Sequence, residues 1–287
     1  KRTMAALLSS IASSMLMSMI CAPFSTCWRA TASASSKRPS RIMRANAFDV
    51  ELDTPVSRIC RLEYLLDDVR KGLLTHVRAL ASIWKDPLEN PLYTMRYADS
   101  VTGGSIDLTK LVGESYALCW TEGPESEQAW QTFARSLEYV RITTTPRRLL
   151  EGLMHEEDSG YMFHHHIGAV RYRSVADIEH WRRTSNYEEH LDSLGQALIA
   201  SLTVLREQFM MEQEVRLLYS HMPEVGGWIE SHVVADETLA RVPFKWADVL
   251  DSIVLCPGMD PAFAADARYD IAAVGIVAPV MNSLLAK

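Results

Sequence analysis

Acidic residues are missing from the first 48 positions of this 287-residue chain, while the same stretch holds seven of its 29 Lys and Arg residues and ten serines. The absence leaves 22 basic against 36 acidic residues for the remainder, a net of −14. So acidic a body repels phosphates, which argues against nucleic acid or an anionic membrane as its main partner.

The motifs that mark common enzyme classes are absent too. There is no Gly-x-Ser-x-Gly elbow, no Gly-rich phosphate loop ending in Gly-Lys-Ser/Thr, no dinucleotide fingerprint and no His-Glu-x-x-His pair. The sequence therefore carries none of the signatures that set a nucleophile, a phosphate cradle or a helical zinc pair. The turn at 101–105 has two glycines but lacks the spacing that brings several amides onto one phosphate. The five cysteines, Cys21, Cys27, Cys60, Cys119 and Cys256, have no close pairing after residue 27. That excludes a disulfide framework or a Cys zinc site and leaves buried free thiols as the plain reading. Internal repeats are missing as well, which excludes a solenoid.

What is present begins with the leader. Lys1-Arg2-Thr3 is a basic tip, Met4 to Ala22 is an apolar run broken by five serines, and a Ser/Ala/Arg segment follows to Arg44. An acid-free, Arg- and Ser-rich start reads as an organelle transit peptide. The apolar run before it fits a two-part leader, a signal peptide and then a transit peptide, with junctions at Cys21-Ala22-Pro23-Phe24 and near Arg41-Ile42-Met43-Arg44-Ala45. The alternative is a retained amphipathic or membrane-inserted helix. The organisation expected is a targeting leader over 1–46 and one globular domain over 47–287. The location expected is an organelle, a plastid before a mitochondrion, with no integral span in the mature chain.

Helical periodicity dominates the body. Val56, Ile59, Leu62, Leu66, Val69, Leu73, Val77, Leu80 and Ile83 recur at spacings of three and four after an Asp53-Thr54-Pro55 start. This predicts a helix to about Trp84, with a break near Gly72. Helices are also expected over 124–137, over 147–155 behind Thr145-Pro146, and over 175–184 behind the Ser174/Asp177 capping box. A long helix from Ser185 past Phe209, one over 243–255 and a last one over 262–285 complete the set. Strands are expected near 115–121, 138–144 and 160–173, with a short one over 229–235. The fold class read from this is α+β, predominantly helical with a small antiparallel sheet. The alternative is a mostly all-α body with one hairpin.

Gly160 to Arg173 holds the only histidine cluster. On a strand, His164 and His166 point to one face and His165 to the other. Two imidazoles so placed can share a metal ion, zinc or iron, with a third ligand from His155, His180, His190, Glu156 or Glu179. The plainer reading is a polar strand face without a metal. A haem or pigment ligand, or an acid–base role for His180 or His190, are further readings.

Arg173-Ser174-Val175-Ala176-Asp177-Ile178-Glu179-His180-Trp181, then Thr184, Tyr187 and His190, resembles a strand-to-helix stretch of ferredoxin-like α+β barrels of the antibiotic-biosynthesis monooxygenase type. The resemblance covers roughly 160–194 and implies a dimer with a small aromatic or haem-like ligand. The short strands before Ser174 and the long helix expected after it depart from that pattern.

The function expected is a non-catalytic subunit or assembly protein of an organellar complex, with protein partners or a homo-oligomer. This rests on the leader, the missing signatures and the uncharged segment Ile271 to Val280, expected to be buried against the body or a partner. The alternative is a small-molecule- or metal-binding enzyme built around His164 and His166.

Overall fold

The computed structural model describes residues 44–99, 103–192 and 195–285. Most of the expected leader, and the turn residues 101–102, lie outside the described residues.

An eleven-stranded mixed sheet is the frame of the molecule, which corrects the expectation of a helical body with a small antiparallel sheet. Its strands are β1 (Ala47–Phe48), β2 (Val56–Arg61), β3 (Leu73–Arg78), β4 (Ser115–Thr121), β5 (Tyr139–Thr144), β6 (His165–Ala169), β7 (Glu214–Ser220), β8 (Val234–Ala235), β9 (Leu239–Pro243), β10 (Ser252–Leu255) and β11 (Val280–Asn282). The main path runs β1-β6-β7-β4-β2-β5-β10-β11, and β3 joins β4 to the hairpin β9-β8. Pairing is antiparallel except for β1 with β6 and β10 with β11. A sheet of this size and order also excludes the ferredoxin-like barrel. Two further two-stranded sheets pair Arg171–Arg173 with Val204–Arg206 and Tyr97–Ala98 with Ser105–Ile106.

The three strands expected near 115–121, 138–144 and 160–173 all belong to the main sheet, but they are not its whole. β4 is central: it pairs with β7 along its full length on one side. On the other side it meets β3 through Ala117 and Tyr116, and β2 only through Thr121. The sheet therefore divides at β4.

The expected helix over 56–84 is instead β2, the helix α1 (Leu62–Lys71) and β3. The repeated apolar spacing is real, but β2 alternates side chains from Val56 to Arg61 and pairs residue for residue with β5. Gly72 ends α1 with φ +64, a conformation glycine reaches without strain, and its amide closes the last turn on Asp68 and Val69. The next helix, α2 (Pro146–Leu153), follows the sequence closely. Thr145 Oγ1 accepts from the Arg148 amide, proline occupies the first turn, and Leu149, Leu150 and Leu153 are buried. Each such leucine contributes on the order of 1.5–3 kcal/mol through burial.

α1 and α2 cover one sheet face, where Leu118, Trp120, Leu217, Tyr219 and Ile167 join the main core. The opposite face carries Ala117 and Leu218, packed by Ile199, Leu202, Phe48 and Trp84. The helix α3 (Val175–Thr184) begins as expected, with Ser174 Oγ accepting from the Asp177 amide at 3.1 Å.

The long helix expected from Ser185 does not form. Short helical turns at Tyr187–His190, Gln196–Ala200 and Glu207–Glu212 stand in its place, followed by β7. The residues from Glu214 to Ser220 are buried on both faces, as in a central strand rather than a helix stripe. Trp228–His232 is helical where a strand was expected, and the region expected as a helix over 243–255 is the end of β9, a turn and β10. The last helix, α4 (Pro261–Ala273), stops well before Pro279. Ile271 is buried, but Val277 is 81% exposed, so the uncharged segment Ile271 to Val280 is a surface stretch in large part. Among the described residues, no helix is long and apolar enough to cross a membrane.

Candidate functional site

The expected strand over 160–173 divides into three pieces. Tyr161–His164 is a helical turn, His165 opens β6, and Arg171–Arg173 pairs elsewhere. His164 and His166 therefore do not share an alternating strand face, because His164 sits on the turn. His166 stacks on Phe48, with ring centroids 5.5 Å apart and planes at 10°. His164 instead lies beside His165, centroids 6.4 Å apart and nearly perpendicular. The Nδ1 atoms of both His164 and His166 are buried without a partner. Among the described residues, no group of three or more His, Cys, Asp or Glu side chains could hold a metal ion.

The structure gathers a different cluster, centred on Tyr219 of β7. Strand register places His165 of β6 and Tyr116 of β4 directly beside Tyr219. His165 stacks on it with centroids 5.2 Å apart. His76 of β3 lies 6.0 Å from it, Tyr116 6.1 Å and His221 5.9 Å. Tyr161 approaches His165 at 5.3 Å and gives its own hydroxyl to the Leu150 carbonyl. Three imidazoles and three phenols thus meet at one end of the sheet, where β3 ends, β4 begins and β7 leaves for the surface.

Burial governs the electrostatics. It lowers His76 to about 4 and His165 further, so both rings are neutral at pH 7. His164 and His166 are lowered to about 4 for the same reason. Burial raises the Tyr219 phenol, and the nearby Asp158 carboxylate raises it further. Asp158 is itself raised by burial, against the amide of Gly160 that holds its charge. Several polar atoms here have no partner: His76 Nε2, His165 Nδ1 and Asp158 Oδ2. A buried polar atom without a partner costs about 1–3 kcal/mol.

The cluster opens at His221. Tyr219 Oη and His221 Nδ1 are 2.9 Å apart, and His221 is partly exposed. Burial lowers the imidazole, and the Glu114 carboxylate partly restores it. When the proton sits on Nδ1 and donates to the Tyr219 oxygen, Nε2 carries a lone pair, the form a general base needs. Tyr116 gives its hydroxyl to the Asp236 carbonyl at 2.8 Å and closes the rim on that side. Nearby aromatic faces continue outward: His155 stacks on Trp228 and Trp228 on His232, each pair 4.9 Å apart.

On the opposite sheet face lies a buried ion network. Arg216 is 1% exposed and binds both carboxylate oxygens of Glu89, at 2.6 and 3.0 Å, and Glu214 at 2.8 Å. Its fourth hydrogen bond goes to the Leu202 carbonyl, and the Trp84 ring lies 5.0 Å from its guanidinium. Asp86 pairs with Arg206, while Asn90 gives its amide to the carbonyls of Ala79 and Val112. The segment Asp86-Pro87-Leu88-Glu89-Asn90 is thereby fastened to the sheet, and its charges are consumed by structure. Three polar residues within five, set among prolines, were the visible signal.

No family model matches the chain, and no curated protein matches it. Solved structures that it is similar to include Thermus sp. 2.9 DarT in complex with carba-NAD+, at 10% identity and TM-score 0.34, covering 82% of this chain and 97% of that one. The same protein in complex with ADP-ribosylated ssDNA gives 10% and 0.36, with coverages of 82% and 96%. In complex with NAD+ it gives 12% and 0.32, with coverages of 82% and 97%. Similarity at this level fixes neither fold nor function. Nothing in these comparisons supports the expected non-catalytic subunit of a plastid or mitochondrial complex or the transit-peptide reading attached to it, and both expectations are withdrawn.

Proposed function

We propose that this protein is an enzyme that binds a small polar molecule at the His221 rim and works on it by general acid–base chemistry. The single observation that carries this reading is the Tyr219–His221 contact of 2.9 Å, which links a partly exposed imidazole to a buried ring cluster. A histidine whose ring is oriented by a second group through one nitrogen, and open through the other, has the geometry of a general base or acid. Neutral His165 and His76 behind it add no positive charge to the site, and the Arg78 guanidinium over Tyr116 is paired with Glu114. His221 Nε2 supplies hydrogen bonding at the rim, and the stack of His155, Trp228 and His232 ends in the exposed His232 ring, whose outer face suits a planar ring. A heteroaromatic ring bearing hydroxyl groups, such as a nucleoside or nucleotide, combines these features.

The test is binding followed by turnover. Adenosine, NAD+, ATP and GTP are titrated calorimetrically into the full chain and into the Tyr219→Phe and His221→Gln variants. Any compound that binds is then followed for conversion by chromatography. The reading expects saturable binding of at least one compound. It also expects His221→Gln to lower kcat by roughly 10²–10⁴, the usual size of acid–base contributions. Absence of binding across the panel, or unchanged kcat in His221→Gln, would overturn it.

A further inference from the structure

A second cavity lies away from this rim, between α3 and the small sheet of Arg171–Arg173 with Val204–Arg206. It has a volume of about 490 Å³. Its walls divide by chemistry. Ile178, Trp181, Ala197, Ala200 and Val204 supply an apolar lining, Arg171, Arg173, His180 and His190 supply polar nitrogen, and the carboxylates of Asp177 and Glu189 also line it.

Two observations point to a ligand. The first is His190. It is 4% exposed, its ring packs edge-on against Trp181 at 5.6 Å, and its Nε2 has no hydrogen-bond partner. Burial lowers its pKa, so the ring is neutral and offers one free nitrogen to the cavity lining. An unmatched polar atom in an otherwise apolar wall costs free energy unless a ligand completes it.

The second is the distribution of charge. Asp177 already accepts from the Ser174 hydroxyl at 2.7 Å. Arg171 gives one nitrogen to the Ala200 carbonyl at 2.9 Å and sits 4.0 Å from Asp49. Among the described residues, no hydrogen bond or ion pair engages the Arg173 guanidinium. The cavity mouth therefore presents a planar, five-donor cation with nothing to bind, and carboxylates are its natural complement.

We propose that this cavity is a binding site for a small organic anion with a planar apolar body. The ring lies against Trp181, the carboxylate meets Arg173, and His190 Nε2 bonds a polar atom on the ligand. The volume suits one or two fused rings and little more. The proposal stands apart from the His221 reading, because the two sites share no residue.

Benzoate and 2-naphthoate serve as anionic probes and 2-naphthamide as the uncharged control, each titrated into the full chain by ¹H–¹⁵N NMR. Saturable binding of 2-naphthoate is expected, with the Trp181 indole resonance shifting. Arg173→Gln, a change at an exposed side chain, should weaken it at least tenfold, and 2-naphthamide should bind at least tenfold more weakly. Tyr219→Phe should leave it unchanged. Lack of saturation by either anion up to 10-millimolar order, equal binding of acid and amide, or undiminished binding by Arg173→Gln would each overturn the proposal.

Discussion

The Tyr219 hydroxyl and His221 Nδ1 lie 2.9 Å apart at the end of β7, one side chain in the core and the other at the surface. They are two residues apart on the chain, so the end of one strand is enough to connect the inside of the protein with its rim. Four rings pack around Tyr219. A substitution that disturbs Tyr219 should therefore be read at His221 even where no ligand is present.

Glu114 is the acidic group that holds the His221 proton. Burial lowers the imidazole and Glu114 opposes that shift. Glu114→Gln removes the opposition, so the His221 pKa should fall further. Its Hε1 resonance, followed by NMR across pH 4 to 8, measures this; a rise on substitution would show that Glu114 does not act on the ring.

Acid should unfold this protein through its buried histidines. The folded-state values of His76, His164 and His166 are about 4, against 6.5 for the free side chain. A depressed histidine binds its proton in the unfolded chain first. Stability is therefore full above pH 6.5 and declines as pH falls from 6.5 toward 4, by up to about 3 kcal/mol per ring. His76→Gln should reduce the slope of the urea midpoint against pH in that window. An unchanged slope would mean that His76 is not a neutral buried ring.

Arg216 should be among the costliest positions to change. Its removal strands Glu89 and Glu214, both nearly inaccessible, without a counter-charge. Arg216→Met is expected to cost about 3–5 kcal/mol, as for other broken buried pairs. Replacing all three groups at once, Arg216→Met with Glu89→Leu and Glu214→Leu, should recover much of that loss. Thermal denaturation of both variants tests the contrast, which fails if the triple change is as damaging as the single one.

Gly72 separates α1 from β3 at φ +64. An added Cβ would meet nothing closer than the Phe244 carbonyl oxygen at 3.9 Å. The penalty for Gly72→Ala is thus conformational, about 1 kcal/mol, and Gly72→Asn should cost less, since asparagine tolerates this region. Equal melting temperatures for wild type and Gly72→Ala would contradict the assignment.

Local chemistry was legible where a cap or a loop fixed it. Thr145-Pro146 and Ser174/Asp177 began helices where the sequence placed them. The strand at Ser115 to Thr121 was visible as a short apolar run. Long-range pairing was not legible. Val56 to Ile83 satisfies helical spacing and alternation at once, and the partners that decide the matter, β5 for β2 and β9 for β3, lie far along the chain. The same ambiguity hid β7, whose seven residues are all buried.

For the site, the histidine run lies beside the Tyr219 cluster, but neither His164 nor His166 is the ring that stacks on Tyr219. His165, placed apart from the others by strand alternation, is the ring that stacks on Tyr219. Tyr219 and His221 carried no motif, and their meeting with His76 and Tyr116 depends on strand order alone. The acidic residues of Asp86 to Asn90 were visible, but their cation, Arg216, lies 127 residues from Glu89.

The His221 ring is the point at which the functional account is most directly tested. Its Hε1 resonance, assigned by comparison with His221→Gln, is followed while adenosine, NAD+, ATP and GTP are added one at a time at pH 7. The account predicts that at least one of them moves this resonance saturably, and that Tyr219→Phe weakens the response. A resonance that stays fixed through all four titrations of the folded protein would contradict it.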